Sequence, residues 1–143
     1  MEFLVTTLNE SNLDLMCIYR IWFGEKFYIG ATADSFKRIV GHYSYIMEGL
    51  DGKHVGKNSV TNIVNHLRSN PHINTGYFEV LEICKDEYEL VDAENEWLIH
   101  FKGNKNCLNV NYYAHRTING VIIRPNGGWA VKKFGKYIHN TYL

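Results

Sequence analysis

The feature that most constrains the fold is a pair of apolar runs, CIYRIWF and KFYIGAT, separated only by Gly24-Glu25. A Gly-X pair suits a two-residue type II′ hairpin turn, because glycine supplies the positive φ that the first turn position requires. This turn pairs Tyr19 with Gly30 and Ile21 with Tyr28. Since side chains alternate along a strand, the two tyrosines should then share one face of the hairpin. A three-residue loop would instead place them on opposite faces.

The remaining patterns alternate between helix and strand. Asp34 or Ser35 can cap a first helix that runs to about Met47 with Gly49 as its stop, and a second short helix follows. GYFEVLEIC has the β-branched and aromatic content of a strand, and DEYELVDAENEWLIHF has the pattern of an amphipathic helix. These patterns predict a mixed α/β (α+β) fold. We expect a small three-stranded antiparallel sheet flanked by helices, in the order β-β-α-α-β-α, and a short β-rich C-terminal extension.

Charge divides the chain into an acidic body and a basic tail. The net formal charge is zero, but all 15 acidic residues and only 10 of the 15 Lys and Arg lie in residues 1–113. The predicted organisation is an N-terminal arm (1–14), a main domain (15–113) and a basic β-rich tail (114–143). Such a tail indicates a polyanionic partner. The tail also ends within a strand pattern, which is typical of a fragment or of a small attached module.

Composition excludes several classes of protein. The three cysteines are far apart and form no CxxC pair, so neither a disulfide framework nor a zinc site is predicted. No run approaches 18 apolar residues and the first residues lack the pattern of a signal peptide. We therefore expect a cytoplasmic (intracellular) protein with no membrane partner.

The last helix of the main domain carries a carboxylate in an unexpected place. At about 100° per residue, Glu94 falls within the apolar face that contains Leu90 and Trp97, whereas Glu96 points to solvent. A charge on an apolar face is costly unless it is paired or functional. An ion pair with a nearby arginine is the structural explanation, and a metal-binding or catalytic role is the functional one that we favour.

Arg38 and His42 lie one helical turn apart and so project from the same face. An arginine fork suits phosphate oxygens, and a histidine can exchange a proton near neutral pH. By itself the pair is more typical of a solvated helix face.

In combination, these residues resemble the GIY-YIG endonuclease family. The resemblance rests on IYRI and YIG, on the arginine and histidine that follow, on ENEWLI and on a later asparagine. It covers Cys17 to Asn111. The first motif departs from the family pattern because Cys17 stands where a glycine is usual.

The resemblance implies a set of site residues. Glu94 would be the metal ligand, with Glu96 as the alternative. Asn109 would be the asparagine of the last family motif, with Asn111 as the alternative. The full set that it implies is Tyr19, Tyr28, Arg38, His42, His54, Glu94 and Asn109.

The resemblance also implies a mechanism. One carboxylate would hold Mg²⁺, for which Mn²⁺ could substitute, and the metal would stabilise the leaving oxygen. Arg38 would neutralise charge on the phosphate. We expect Tyr19 to deprotonate the attacking water with His42 assisting, and the reverse assignment is the alternative.

The function that these expectations describe is a Mg²⁺-dependent DNA endonuclease of a mobile-element, phage or restriction system, acting on double-stranded DNA as a monomer or a DNA-induced dimer. The alternatives are a catalytically inactive nucleic-acid-binding module on the same fold and a domain for protein interaction. The tail is faintly similar to AP2-type DNA-binding modules, although a β-extension packed on the main domain fits equally well. Its candidate DNA contacts are Arg124, Trp129, Lys132, Lys133 and Lys136.

Overall fold

A computed structural model describes residues 2–5, 15–52, 59–125, 129–133 and 136–140. These residues form three helices and two four-stranded sheets, so the mixed α/β class is confirmed. The elements in chain order are β1 (Glu2–Val5), β2 (Cys17–Phe23), β3 (Lys26–Thr32), α1 (Ser35–Leu50), α2 (Ser59–Ser69), β4 (Thr75–Ile83), α3 (Glu87–Phe101), β5 (Arg116–Ile118), β6 (Val121–Ile123), β7 (Trp129–Lys133) and β8 (Lys136–Asn140).

The first sheet has four strands rather than the three expected. Its order is β1-β4-β2-β3, and the three predicted strands pair antiparallel. The additional strand, β1, comes from the segment interpreted as an arm and pairs in parallel with β4. Gly76 permits this pairing because a Cβ there would lie 2.8 Å from the Phe3 ring. Because β1 has only four residues and no turn signal beside it, the sequence pattern does not predict it.

The hairpin of β2 and β3 has the predicted register. Tyr19 lies opposite Gly30, and Ile21 lies opposite Tyr28. Gly24 has a φ of +68° and Glu25 does not share its positive φ, as a type II′ turn requires. The two tyrosine rings lie on one face of the sheet, with their centroids 6.2 Å apart.

Helix α1 begins as predicted and ends later. Asp34 is its N-cap, and its carboxylate accepts a hydrogen bond from the Lys37 amide. The helix runs through Gly49 to Leu50, so the prediction that Gly49 ends it was wrong. The positive φ that marks the end of this segment falls instead at Gly52, beyond the last helical turn.

Helices cover both faces of the first sheet. On one face, Ile46 of α1 and Ile63 of α2 pack in a cluster with Tyr19. On the other face, Leu90 and Leu98 of α3 belong to a second cluster. The site described below lies on the α1 side of the hairpin, at the end of the sheet where α1 begins.

The second sheet is an antiparallel meander of β5 to β8. Its first part packs on the main domain, because Ala114 and Ile123 form a buried cluster with Val91 of α3. Within the described parts of the chain, no helix is both long and apolar enough to cross a membrane.

Candidate active site

A tyrosine–histidine pair forms the base of the candidate site. The Tyr19 hydroxyl and His42 Nε2 are 2.6 Å apart and share a hydrogen bond. Tyr19 also stacks on Phe78, with the ring centroids 4.8 Å apart, and is almost fully buried. Gly30 allows this placement, since a Cβ at that position would lie 2.3 Å from the Tyr19 hydroxyl. The glycine of YIG therefore makes room for the tyrosine of CIY.

A cavity of about 560 Å³ lies next to this pair. Tyr28 and His42 line it, whereas Tyr19 is not among its described lining residues. The cavity is positively charged, because one carboxylate and three cations are found among its described lining residues. The four charged residues are Asp34, Lys37, Arg38 and Arg116. The carboxylate is the one that caps α1, so its charge is partly engaged at the helix N-terminus.

Arg38 and His42 both line the cavity, as their spacing on α1 predicts. Arg38 is exposed and His42 is buried. Burial, followed by the positive charge of Arg38, lowers the pKa of His42 from 6.5 to about 4. His42 is therefore neutral at pH 7. Its Nδ1 is buried and has no hydrogen-bond partner among the described residues.

The two tyrosines are held in their protonated form. Burial raises the pKa of the Tyr19 phenol well above 10, and the neighbouring Tyr28 raises it further. Burial and the charge of Glu94 also raise the pKa of Tyr28, while Arg38 and a hydrogen bond from Tyr19 oppose this increase. Neither phenolate is favoured in the free protein, so a proton leaving Tyr19 needs an acceptor.

Glu94 is placed as the helix projection predicts. It is half-buried on α3, whereas Glu96 is exposed. Burial raises the pKa of Glu94, and Arg116 and Arg38 oppose that increase. Glu94 interacts electrostatically with both tyrosines and both arginines, although it is not among the described lining residues of the cavity.

Asn109 has a structural position rather than one in the cavity. Its side-chain amide donates to the Ile29 carbonyl at 2.7 Å and accepts from the Ile29 amide at 2.8 Å. It thereby continues the pairing that residues 106–108 make with the free edge of β3. The alternative, Asn111, is exposed.

Of the remaining predicted residues, only Arg124 has a described side chain, and it is not among the described lining residues of the cavity. His54 lies outside the described residues. Arg124 is exposed and follows β6. The strands that carry the remaining tail candidates are described, but the side chains of those four residues lie outside what the structure describes: Trp129, Lys132, Lys133 and Lys136.

Sequence reasoning missed Arg116 as a site residue. It was grouped with the tail, yet it lines the cavity and its charge reaches Glu94. No spacing rule marks it, because its position depends on β5 folding back onto α3. Arg116 forms its ion pair with Glu87, and no ion pair of Glu94 is found among the described residues.

Comparisons with protein-family models, with curated proteins and with solved structures gave no match to this chain. The resemblance to the GIY-YIG family therefore rests on the sequence motifs alone.

Proposed function

We propose that this protein is a metal-dependent endonuclease of the GIY-YIG type that hydrolyses phosphodiester bonds in double-stranded DNA. The observation that carries the proposal is the cavity in which Arg38 lies beside the hydrogen-bonded Tyr19–His42 pair. The cavity is cationic although residues 1–113 are acidic overall. A local cationic site on such a body suits a backbone phosphate. Enzymes of this type serve mobile elements, phages and restriction systems.

Arg38 is the proposed ligand of the scissile phosphate. Its guanidinium is exposed, lines the cavity and lies one helical turn from His42. An arginine fork matches two phosphate oxygens and neutralises the charge that develops on them in the transition state.

His42 is the proton acceptor in this proposal, and Tyr19 positions it. The neutral imidazole lines the cavity, and since Nε2 is bonded to Tyr19, the unpartnered Nδ1 is the nitrogen that would take a proton as water attacks phosphorus. Tyr19 is too buried to meet the water directly, and its hydroxyl fixes the imidazole through the 2.6 Å hydrogen bond. As the water attacks, one of its O–H bonds breaks and the proton passes to His42. The water oxygen bonds to phosphorus, and the bond between phosphorus and the 3′-oxygen breaks.

Glu94 would hold the divalent cation, for which Mg²⁺ is the natural candidate and Mn²⁺ a substitute. The donor set fits, since Mg²⁺ is commonly bound through one or two carboxylates while keeping several waters. Burial raises the pKa of Glu94, and a bound cation would favour the ionised form of its carboxylate. When bound, the metal would supply a Lewis acid for the leaving oxygen.

Cleavage of supercoiled plasmid and of a mixed-sequence DNA pool tests the proposal. Each substrate is incubated with the protein in Mg²⁺, in Mn²⁺ and in EDTA. We expect nicks or breaks with either metal and none in EDTA. Arg38→Ala should reduce the cleavage rate by about 10²–10³-fold, whereas Lys85→Ala, which removes an exposed cation of the β4–α3 connection, should not. Metal-independent cleavage, or a fully active Arg38→Ala variant, would contradict the proposal.

A further inference from the structure

Arg116 belongs to a strand that the sequence assigns to a separate tail, yet it lines the candidate active site. Strand β5 is anchored on the main domain through Ile118, which packs against the cluster of Val91, Ala114 and Ile123. This anchoring brings the Arg116 side chain to the cavity that also contains Arg38 and His42.

The Arg116 guanidinium is held in place but retains unused donors. Its Nη2 donates to Glu87 Oε1 at 3.1 Å, and Glu87 lies in the first turn of α3. Both side chains are largely buried, at 21% and 32% exposed. The buried Nε has no hydrogen-bond partner among the described residues. A buried N–H without a partner is costly, and a ligand oxygen would satisfy it.

We propose that Arg116 is a second phosphate-binding residue, which contacts the DNA backbone in the same cavity as Arg38. The inference rests on the proposed function and extends it, because the segment after residue 113 would then supply part of the substrate site. A guanidinium fixed by one ion pair is pre-organised, so less side-chain entropy is lost when it binds phosphate.

The alternative is that Arg116 has a purely structural role, in which it joins β5 to α3 through Glu87 and does not contact DNA. The salt dependence of binding separates the two roles. Each phosphate contact releases counterions and steepens the slope of log affinity against log salt concentration by about one. A purely structural arginine contributes nothing to that slope.

The experiment measures the affinity of a fluorescein-labelled duplex of mixed sequence, in EDTA, over a series of salt concentrations. Arg116→Ala and Arg116→Gln should each lower the slope by about one and weaken binding at low salt by about tenfold. Glu87→Gln removes the ion pair but keeps the arginine, so it should retain the slope. Thr117→Ala, an exposed change on the same strand, should match the unsubstituted protein.

The outcomes distinguish the inference from the proposed function. If Arg38→Ala lowers the slope and both Arg116 variants leave it unchanged, the inference is overturned and the proposed function stands. If the unsubstituted protein does not bind the duplex, the proposed function fails and the inference fails with it. If Arg116→Ala does not fold, Arg116→Gln decides, since the amide keeps most of the side-chain volume and can still donate to Glu87.

Discussion

Tyr19 has the least freedom of any residue in the candidate site. Its ring stacks on Phe78, its hydroxyl is bonded to His42, and Gly30 on the paired strand leaves the space that the hydroxyl occupies. The sequence predicts that Tyr19 lies opposite Gly30, because strand register follows from the turn. It does not show that the glycine is needed for space, since that depends on the rotamer of the tyrosine.

Gly30→Ala should therefore destabilise the protein. The added Cβ would lie 2.3 Å from the Tyr19 hydroxyl, and the buried ring has little room to move. We expect a loss of about 1–3 kcal/mol in the free energy of unfolding, measured in urea. Gly41→Ala is the matched control, since nothing lies within 4 Å of its added Cβ, and this helical change should be neutral or stabilising. Equal stability of the two variants would show that the ring is not confined.

His42 should make the stability of the protein depend on pH below 6.5. Because its pKa is about 4 in the folded protein and 6.5 ordinarily, the unfolded chain takes up a proton in this window that the folded chain does not. The stability that depends on neutral His42 is thus complete above pH 6.5 and is lost as the pH falls towards 4. The loss should be roughly 3 kcal/mol.

His42→Gln should remove this part of the pH dependence. The measurement is the free energy of unfolding of both proteins in urea at several pH values between 4 and 7. A curve for the variant that runs parallel to that of the unsubstituted protein would show that His42 titrates normally.

At the scale of elements, the sequence predicts α3 well and the edge of β3 poorly. The helical period of α3 separates half-buried Glu94 from exposed Glu96 without any knowledge of the fold. Residues 106–109, by contrast, have no strand pattern of their own. They follow β3 because the Phe27 amide donates to the Asn106 carbonyl and the Leu108 amide donates to the Phe27 carbonyl, contacts that only the folded chain brings about.

Asn109→Ala should mainly lower the stability of the protein, because the Asn109 side chain bonds to the backbone of β3. The change leaves the amide and the carbonyl of Ile29 without their side-chain partner. We expect a loss of about 2 kcal/mol in the free energy of unfolding. Asn111→Ala, at an exposed position, should stay within about 0.5 kcal/mol of the unsubstituted protein. Thermal unfolding followed by circular dichroism would compare them, and a larger loss for Asn111→Ala would reverse the two roles.

At the scale of the whole molecule, composition shows where the charge changes but not how the parts pack. The acid-free stretch after residue 113 suggests a separate tail. In the structure its first strands cover Val91 of α3 and bring Arg116 to the site. Likewise, β1 completes the first sheet from the opposite end of the chain. Both contacts join segments that are distant in sequence, so local patterns do not reveal them.

Ile123→Ala should therefore destabilise the main domain and not only the second sheet. Ile123 is buried against Val91 and Ala114, and truncating a buried isoleucine costs about 2–5 kcal/mol. We expect one cooperative transition at lower urea concentration, seen alike by circular dichroism and by tryptophan fluorescence. Thr117→Ala should leave the midpoint unchanged. Two separate transitions in the Ile123 variant would mean that the second sheet unfolds independently.

The most direct test of the nuclease proposal compares Glu94→Gln with Glu96→Gln in a plasmid-cleavage titration with Mg²⁺. Both changes remove one carboxylate from α3 and keep the side-chain size. If Glu94 holds the metal, its variant should lose cleavage at every Mg²⁺ concentration, while the Glu96 variant should cleave like the unsubstituted protein. Cleavage that survives in Glu94→Gln and disappears in Glu96→Gln would contradict the assignment of the metal ligand. The absence of cleavage by all three proteins, on plasmid and mixed-sequence DNA alike, would contradict the nuclease itself.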